Sequence, residues 1–398
     1  MGSSLPENSL AAIPLAADYR AAIEALVADF AATGAERDQV GGTAKRERDL
    51  IRQSGLLRLS VPQQLGGLGA NWVETLSAVR RLAMVDSSLA HLFAFHHLML
   101  ATLQFFGSPE QAEALLRSTV RDNWFWGNAM NPLDPRTRLS RTATGYRLDG
   151  DKSFCSGASD SDRLIVSAID SETETLRILA IPTSRRGIVI HDDWDNMGQR
   201  QTDSGTVTFT DVFVAEDEIL RDPGPMGSPY ASLRPSLAQL VLTNIYLGLA
   251  DGALEQARSY LHGLPQPALE RIGEAPYVLR NFGDLWVEVA GARALADQAL
   301  HAFQYGWEAG RDGVTAELRG EIAVAIAAAK VASSRASLNV GSRIFDVMGA
   351  RATTARNRFD RYWRNARTHT LHDPLDYKLR ELGNWAFKGQ FPSPSFYS

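Results

Sequence analysis

Residues 197–214, MGQRQTDSGTVTFTDVFV, change character halfway along. Up to Gly205 the segment is, apart from Met197, polar residues and glycine, the composition of a turn. From Thr206 onward Val207 and Phe209 alternate with threonines, a period of two that predicts a strand buried on one face. YRLDGDKSF (146–154) and TLRILAIP (175–182) are short runs of the same kind, bounded by Gly, Asp and Pro. These runs predict a small β domain from Asn123 to about Asp222.

On either side the period changes to that of a helix. Ile23, Leu26, Val27 and Phe30 recur at i, i+3, i+4 and i+7, and ERDLIRQSGLLRL (47–59) continues the pattern. The glycines of VPQQLGGLGANW (61–72) predict a loop, followed by a single helix from Val73 to Phe106. After the Pro/Gly-rich connector RDPGPMGSPY (221–230), long helices run from about Pro235 to Gly349, with breaks at HGLPQPA (262–268) and GRDGV (310–314). The expected organisation is a helical domain over 1–122, a β domain over 123–230 and a helical bundle over 231–398. That is an α+β chain, mostly α, and not a βαβ nucleotide fold.

At 398 residues, 44% hydrophobic and 22% charged, the chain can bury a large core. Its formal net charge of -5 gives nucleic acid or an anionic membrane nothing to be attracted to. Cys155 is the sole cysteine, which excludes an internal disulfide and a cysteine-rich zinc site. MGSSLPENSL lacks the basic start and apolar run of a signal peptide, and EIAVAIAAAKVASS (321–334) is too short to span a membrane and is interrupted by Lys330. The expectation is a cytoplasmic protein.

The polar residues offer several chemistries. RNARTHTLHDPLDYKLRELG (364–383) sets His369 and His372 three apart, so that a helix there would carry both rings on one face. His-x-x-His without an ordered third ligand does not make a metal site, and none is expected. Three further histidines, His91, His96 and His97, lie in HLFAFHH, where an apolar stripe favours a core role for His96 and His97. Ser156 and Ser204 read by themselves as strand-end hydrogen bonders, and Arg280 as a solvent-facing helix arginine.

Taken in order, VPQQLGGLG, GDKSFCSGA (150–158), MGQRQTDSGTVTFTDVFV and DVMGARATTARNRFDRYWRNAR (346–367) resemble the acyl-CoA dehydrogenase superfamily over nearly the whole chain. The resemblance implies a flavin held between the β domain and the C-terminal bundle, in a homotetramer. It assigns Ser156 to the N5 edge of the flavin, Ser204 to its phosphate or ring, and Trp194 to a wall. Where dehydrogenases of the family carry a catalytic glutamate in an EGT-like segment, this chain reads LHDP (371–374), with Asp373 one methylene shorter and Pro374 in place of the glycine.

HTLHDP instead resembles the flavin-dependent monooxygenase branch, of dibenzothiophene monooxygenase type. For that branch the resemblance implies reduced flavin from a separate reductase, O2, a C4a-hydroperoxyflavin, and an aromatic, indole-like or organosulfur substrate. His372 and His369 would control protonation, while His91 and Asn128 would orient the substrate, with Phe95 and Phe93 lining its pocket. Arg351, in MGAR, and Arg280, in RNFG (280–283), would reach a terminal phosphate, which favours FMN over FAD. Two alternatives stay open: an acyl-CoA dehydrogenase with FAD and Asp373 as base, and a catalytically silent protein kept for assembly or ligand binding.

Overall fold

The computed structural model describes residues 17–397; the leader reading of MGSSLPENSL lies outside them. Five helices come first: α1 (Ala17–Val40), α2 (Lys45–Gln53), α3 (Trp72–Ala83), α4 (Ser87–Phe106) and α5 (Pro109–Asp122). The expected helix from Val73 to Phe106 is thus two. Asp86 breaks it: its backbone is extended and its carboxylate accepts from Leu89 N at 3.0 Å, an N-cap that starts α4 afresh. Reciprocal capping boxes start α3 (Asn71 with Glu74) and α5 (Ser108 with Gln111), the latter with Pro109 at the first helical position.

The strands are β1 (Trp126–Ala129), β2 (Arg138–Thr142), β3 (Gly145–Lys152), β4 (Arg163–Asp170), β5 (Leu176–Pro182), β6 (Ile188–Ile190), β7 (Val207–Val214) and β8 (Ile219–Leu220). They form one sheet in the order β6-β7-β3-β2-β4-β5-β8, with β1 parallel alongside β4. In β7 the alternation slips by one residue. Val207 and Phe209 point inward, Thr210 and Asp211 both point out, and Val212 and Val214 return to the core. Leu148 pairs with Val212 and Gly150 with Phe209, so two residues of β7 oppose one of β3; this is a β-bulge. Asp211 takes a left-handed φ of 49° there, and its N–H is received by Asp149 at 2.7 Å.

The C-terminal part holds α6 (Leu233–His262), α7 (Gln266–Gly273), α8 (Pro276–Gly313), α9 (Ala316–Met348), α10 (Arg361–Thr370) and α11 (Leu375–Lys388). Two cores result. One unites helices from both ends of the chain, with Phe30, Leu76, Phe93, Leu240, Leu300 and Ile344 among its members; the other belongs to the sheet, around Leu148, Val166, Phe209 and Val212. The helices α4 and α6 are long and apolar enough to cross a membrane, but 89% and 83% of their most apolar windows are buried in this fold, so core packing accounts for their hydropathy.

Candidate active site

A cavity of about 570 Å³ opens where the sheet meets α4, α6 and the segment after α10. The polar turn Gln199–Ser204 is pinned to this junction from both sides. Gly198 lies so close to Arg364 that a Cβ would come within 2.2 Å of its carbonyl oxygen, so only glycine fits. Beside it, Gln199 N donates to Asn365 Oδ1 at 2.7 Å, and Gln199 Nε2 donates to Ser87 Oγ at 3.0 Å. The turn thereby ties the sheet to the start of α4 and to α10.

On the sheet side the wall carries Asn128, Phe154, Ser156, Trp194, Thr202 and Ser204. Three hydroxyls form a chain: Ser156 Oγ lies 2.8 Å from Ser204 Oγ, which lies 2.8 Å from Thr202 Oγ1, which donates to Gln199 O at 3.0 Å. Because Thr202 spends its proton on the carbonyl, Ser204 donates to Thr202 and Ser156 donates to Ser204. Ser156 Oγ is left with its lone pairs free to accept. Trp194 is fixed by donation from its indole N–H to Gln199 O at 2.8 Å.

From the helices come His91 and Phe95 on α4, Arg234, Gln239 and Leu242 on α6, and His369 and His372. The α10 helix ends at Thr370, so the two C-terminal histidines do not share a helical face. A turn in which His372 N donates to His369 O at 3.0 Å brings both rings to the cavity instead. His91 stacks on Phe95 at 3.9 Å between centroids and lies 4.8 Å from His369. Burial, with the neighbouring His369 and His372, holds the His91 imidazole well below its ordinary pKa. Burial likewise lowers His369 to about 3 and His372 to about 4. His372 has accessible surface, but it is cavity wall, and Lys330 and Arg234 nearby add to the depression.

Other expected residues lie elsewhere. Phe93 is fully buried and edge-on to His97 at 4.6 Å, so it packs in the core and does not line the cavity. His96 accepts from Trp126 N at 3.1 Å and lies 2.7 Å from Leu57 O, while His97 lies 2.8 Å from Ser60 Oγ. Arg280 and Arg351 are exposed and outside the cavity. Asp373 is buried in an ion pair with Lys330 at 2.6 Å, and Lys330 also donates to Gln239. Its carboxylate is occupied, which removes the base that a dehydrogenase reading requires.

Several cavity residues had no sequence signal strong enough to find them. Arg234 and Gln239 lie in a mostly apolar helix buried on nearly every side, where no motif marks them, and Phe396 and Tyr397 reach the wall only because the tail folds back. Lys378 holds that tail by donating to Tyr397 O, and Arg319 donates to Pro392 O at 2.5 Å.

A helical, sheet and helical chain with a cavity at the sheet–bundle junction defines a class, and family models match it throughout: acyl-CoA dehydrogenase N-terminal domain over 15–123, middle domain over 127–212 and C-terminal domain over 236–373. The chain belongs to the acyl-CoA dehydrogenase family. Within it, the chain is 51% identical to a probable FMNH2-dependent monooxygenase, SfnC, of Pseudomonas putida, over 94% of this chain and 95% of that one. The solved methanesulfinate monooxygenase MsuC of Pseudomonas fluorescens superposes with a TM-score of 0.92 at 51% identity, covering 96% of this chain and all of that one. The dibenzothiophene monooxygenase TdsC of Paenibacillus sp. A11-2, solved with FMN and indole, gives 0.90 at 40% identity over 96% of this chain and all of that one. The chain is thus a member of the flavin-dependent monooxygenase branch.

Proposed function

We propose that this protein is the oxygenase component of a two-component monooxygenase, taking reduced FMN from a separate reductase and inserting one atom of O2 into a small organosulfur or aromatic substrate. Sulfinates, dibenzothiophene and indole are the candidates suggested by its relatives. One observation carries the choice of monooxygenase over dehydrogenase. Three neutral histidines converge on the cavity while Asp373 is turned away onto Lys330.

The cavity suits a flavin. Gln199 Oε1, His369 Nδ1 and both ring nitrogens of His91 are buried beside the cavity without a protein partner, so water or a polar ligand is left to satisfy them. Trp194 and Phe154 offer apolar faces for a ring system, and Ser156, Thr202 and Ser204 a polar edge. Ser156 Oγ, left as an acceptor, suits the N–H of a reduced flavin better than the bare nitrogen of an oxidised one. Bound reduced FMN supplies the two electrons that activate O2 for oxygen transfer.

The residues of the chain do the remainder. The depressed imidazoles of His369 and His372 are neutral at pH 7, each with one N–H to donate and one lone pair to accept a proton. They hold a proton beside developing negative charge without burying a cation beforehand. Leu98, Met130 and Leu242 keep the substrate end dry, and Asn128, whose Oδ1 accepts from Met130 N at 3.2 Å, presents its amide N–H2 for orientation.

The test uses the full chain with FMN, an NADH-dependent flavin reductase and ¹⁸O2. One labelled atom should appear in the product. His372→Ala should lower product formation by about 10²-fold and divert oxygen to hydrogen peroxide. Unlabelled product, or reduction of tightly bound FAD by an acyl-CoA, would overturn the reading.

We also propose a homotetramer. Leu279, Trp286 and Val287 recur at i, i+7 and i+8 on α8 and are 58%, 42% and 63% exposed, an apolar stripe that a second copy would cover. Arg280 adjoins that stripe, and we assign it with Arg351 to the FMN phosphate of a neighbouring copy. The buried thiol of Cys155, raised to about 12 by burial, fits a cytoplasmic location and takes no part in the chemistry.

A further inference from the structure

Arg234, at the start of α6, is 8% exposed, and that exposure is to the cavity it lines. Its Nε donates to Thr102 Oγ1 at 3.0 Å, and Thr102 is itself held by donating to Leu98 O at 2.7 Å. Among the described residues no carboxylate forms an ion pair with this guanidinium. Asp373 belongs to Lys330. Asp195, the carboxylate on the cavity wall, is 96% exposed at the rim and lies 3.9 Å from Arg200. Burial alone lowers Arg234, to about 9, with no opposing carboxylate, so it remains a cation at neutral pH.

An unanswered buried cation is costly, and a fold retains one where a ligand supplies the missing charge. With Nε held by Thr102, the guanidinium keeps N–H donors for a planar pair of oxygens. Phe95, Leu98 and Leu242 leave apolar space beside it.

We propose that Arg234 is the specificity-determining residue of this cavity and that it docks the oxyanion of a small organic sulfinate. This rests on the monooxygenase reading above. Two chemical facts select the sulfinate among oxyanions. Its sulfur keeps a lone pair that can receive an oxygen atom, which a sulfonate has lost and a carboxylate carbon never had. Its two oxygens can meet the guanidinium while that lone pair faces the cavity. The reaction balances as R–SO2⁻ + O2 + FMNH2 → R–SO3⁻ + FMN + H2O: sulfur gains one oxygen, and the other leaves as water with the two electrons and two protons of the reduced flavin. Dibenzothiophene and indole carry no charge and would leave Arg234 unanswered.

The experiment compares wild type, Arg234→Met and Arg234→Lys as full-length proteins in the presence of FMN. Methanesulfinate binding is measured by calorimetry, FMN affinity by fluorescence, and turnover of methanesulfinate against indole with ¹⁸O2. In Arg234→Met, methanesulfinate affinity and its kcat/KM relative to that for indole should fall about thirty-fold or more, with partial recovery in Arg234→Lys. FMN affinity should change less than about twofold. Because the substitution removes an uncompensated buried charge, the Tm of Arg234→Met should hold or rise, which separates lost docking from lost folding. Wild type that binds methanesulfinate no better than Arg234→Met would overturn the proposal. So would a parallel loss of FMN affinity, which would give Arg234 to the flavin phosphate. If neither substrate acquires ¹⁸O while methanesulfinate binding still depends on Arg234, it is the monooxygenase reading that fails.

Discussion

His369 shows how much a single residue depends on its surroundings. Its unfolded imidazole titrates near 6.5, and in the fold burial lowers that to about 3. Between those values the unfolded chain binds a proton that the native state refuses, so stability is full above pH 6.5 and falls as the pH drops toward 3. At pH 5 this one group should cost about 2 kcal/mol. The urea midpoint of the wild type should therefore fall between pH 7.5 and pH 5, and His369→Leu should fall less by that amount. An identical fall in the variant would show that the fold does not depress His369, and would overturn the burial argument for that imidazole.

The histidines also mark where reading residues one at a time succeeds and where it stops. His369 and His372 stood out by their spacing, and the family resemblance added His91, Phe95, Asn128, Ser156, Trp194 and Ser204; the fold brings all eight to one cavity. Phe93, two residues from His91 on the same helix, turns the other way because successive residues on α4 differ by about 100°. Arg234 left no trace in its own segment, since nothing local distinguishes a helix arginine that meets solvent from one that meets a cavity.

Among the elements, α4 brings His91, Phe95 and Leu98 to the cavity wall, and its start is set by Asp86. That carboxylate caps Leu89 N and receives Arg37 Nη1 at 2.9 Å, while Ser87 one residue on receives Gln199 Nε2. Asp86→Ala removes a cap and takes from Arg37 its nearer carboxylate, leaving Glu47 at 3.6 Å beside the donations to Thr33 Oγ1 and Phe30 O. It should cost about 3 kcal/mol, whereas Asp86→Asn, which keeps the cap, should cost about half as much. Equilibrium urea unfolding of the two variants decides it; equal losses would mean that the ion pair with Arg37, and not the cap, holds this corner. The cap was legible as Asp-Ser-Ser before an apolar run, but the apolar periodicity continues across it and hides the break. The bulge in β7 was hidden in the same way, because alternation over Val207 and Phe209 predicts a strand but not the slip at Asp211.

For the whole molecule, helices separated by some hundred residues of sheet share a single core, while the sheet keeps its own. The cavity lies at their boundary, so its shape depends on the packing of parts remote in sequence. Beyond one chain, the exposed stripe on α8 should pair with a second copy. Leu279→Glu combined with Trp286→Glu should convert a tetramer into a smaller species by light scattering. It should also weaken FMN binding by about tenfold or more if Arg280 and Arg351 serve a neighbour. Dissociation with unchanged FMN affinity would leave both arginines facing solvent, the role that the sequence context of Arg280 suggests.

Period and local chemistry by themselves determined the order of helices and strands, the turns, the absence of a disulfide and a short set of polar residues in family-like motifs. These follow from interactions within a few residues, and the chain states them wherever it is cut. The tertiary structure decided that Asp373 is spent on Lys330, that burial depresses the three cavity histidines, and that among the described residues no carboxylate pairs with Arg234. Each of those is a matter of charge and burial between groups far apart in sequence, and only packing brings such groups within reach of one another.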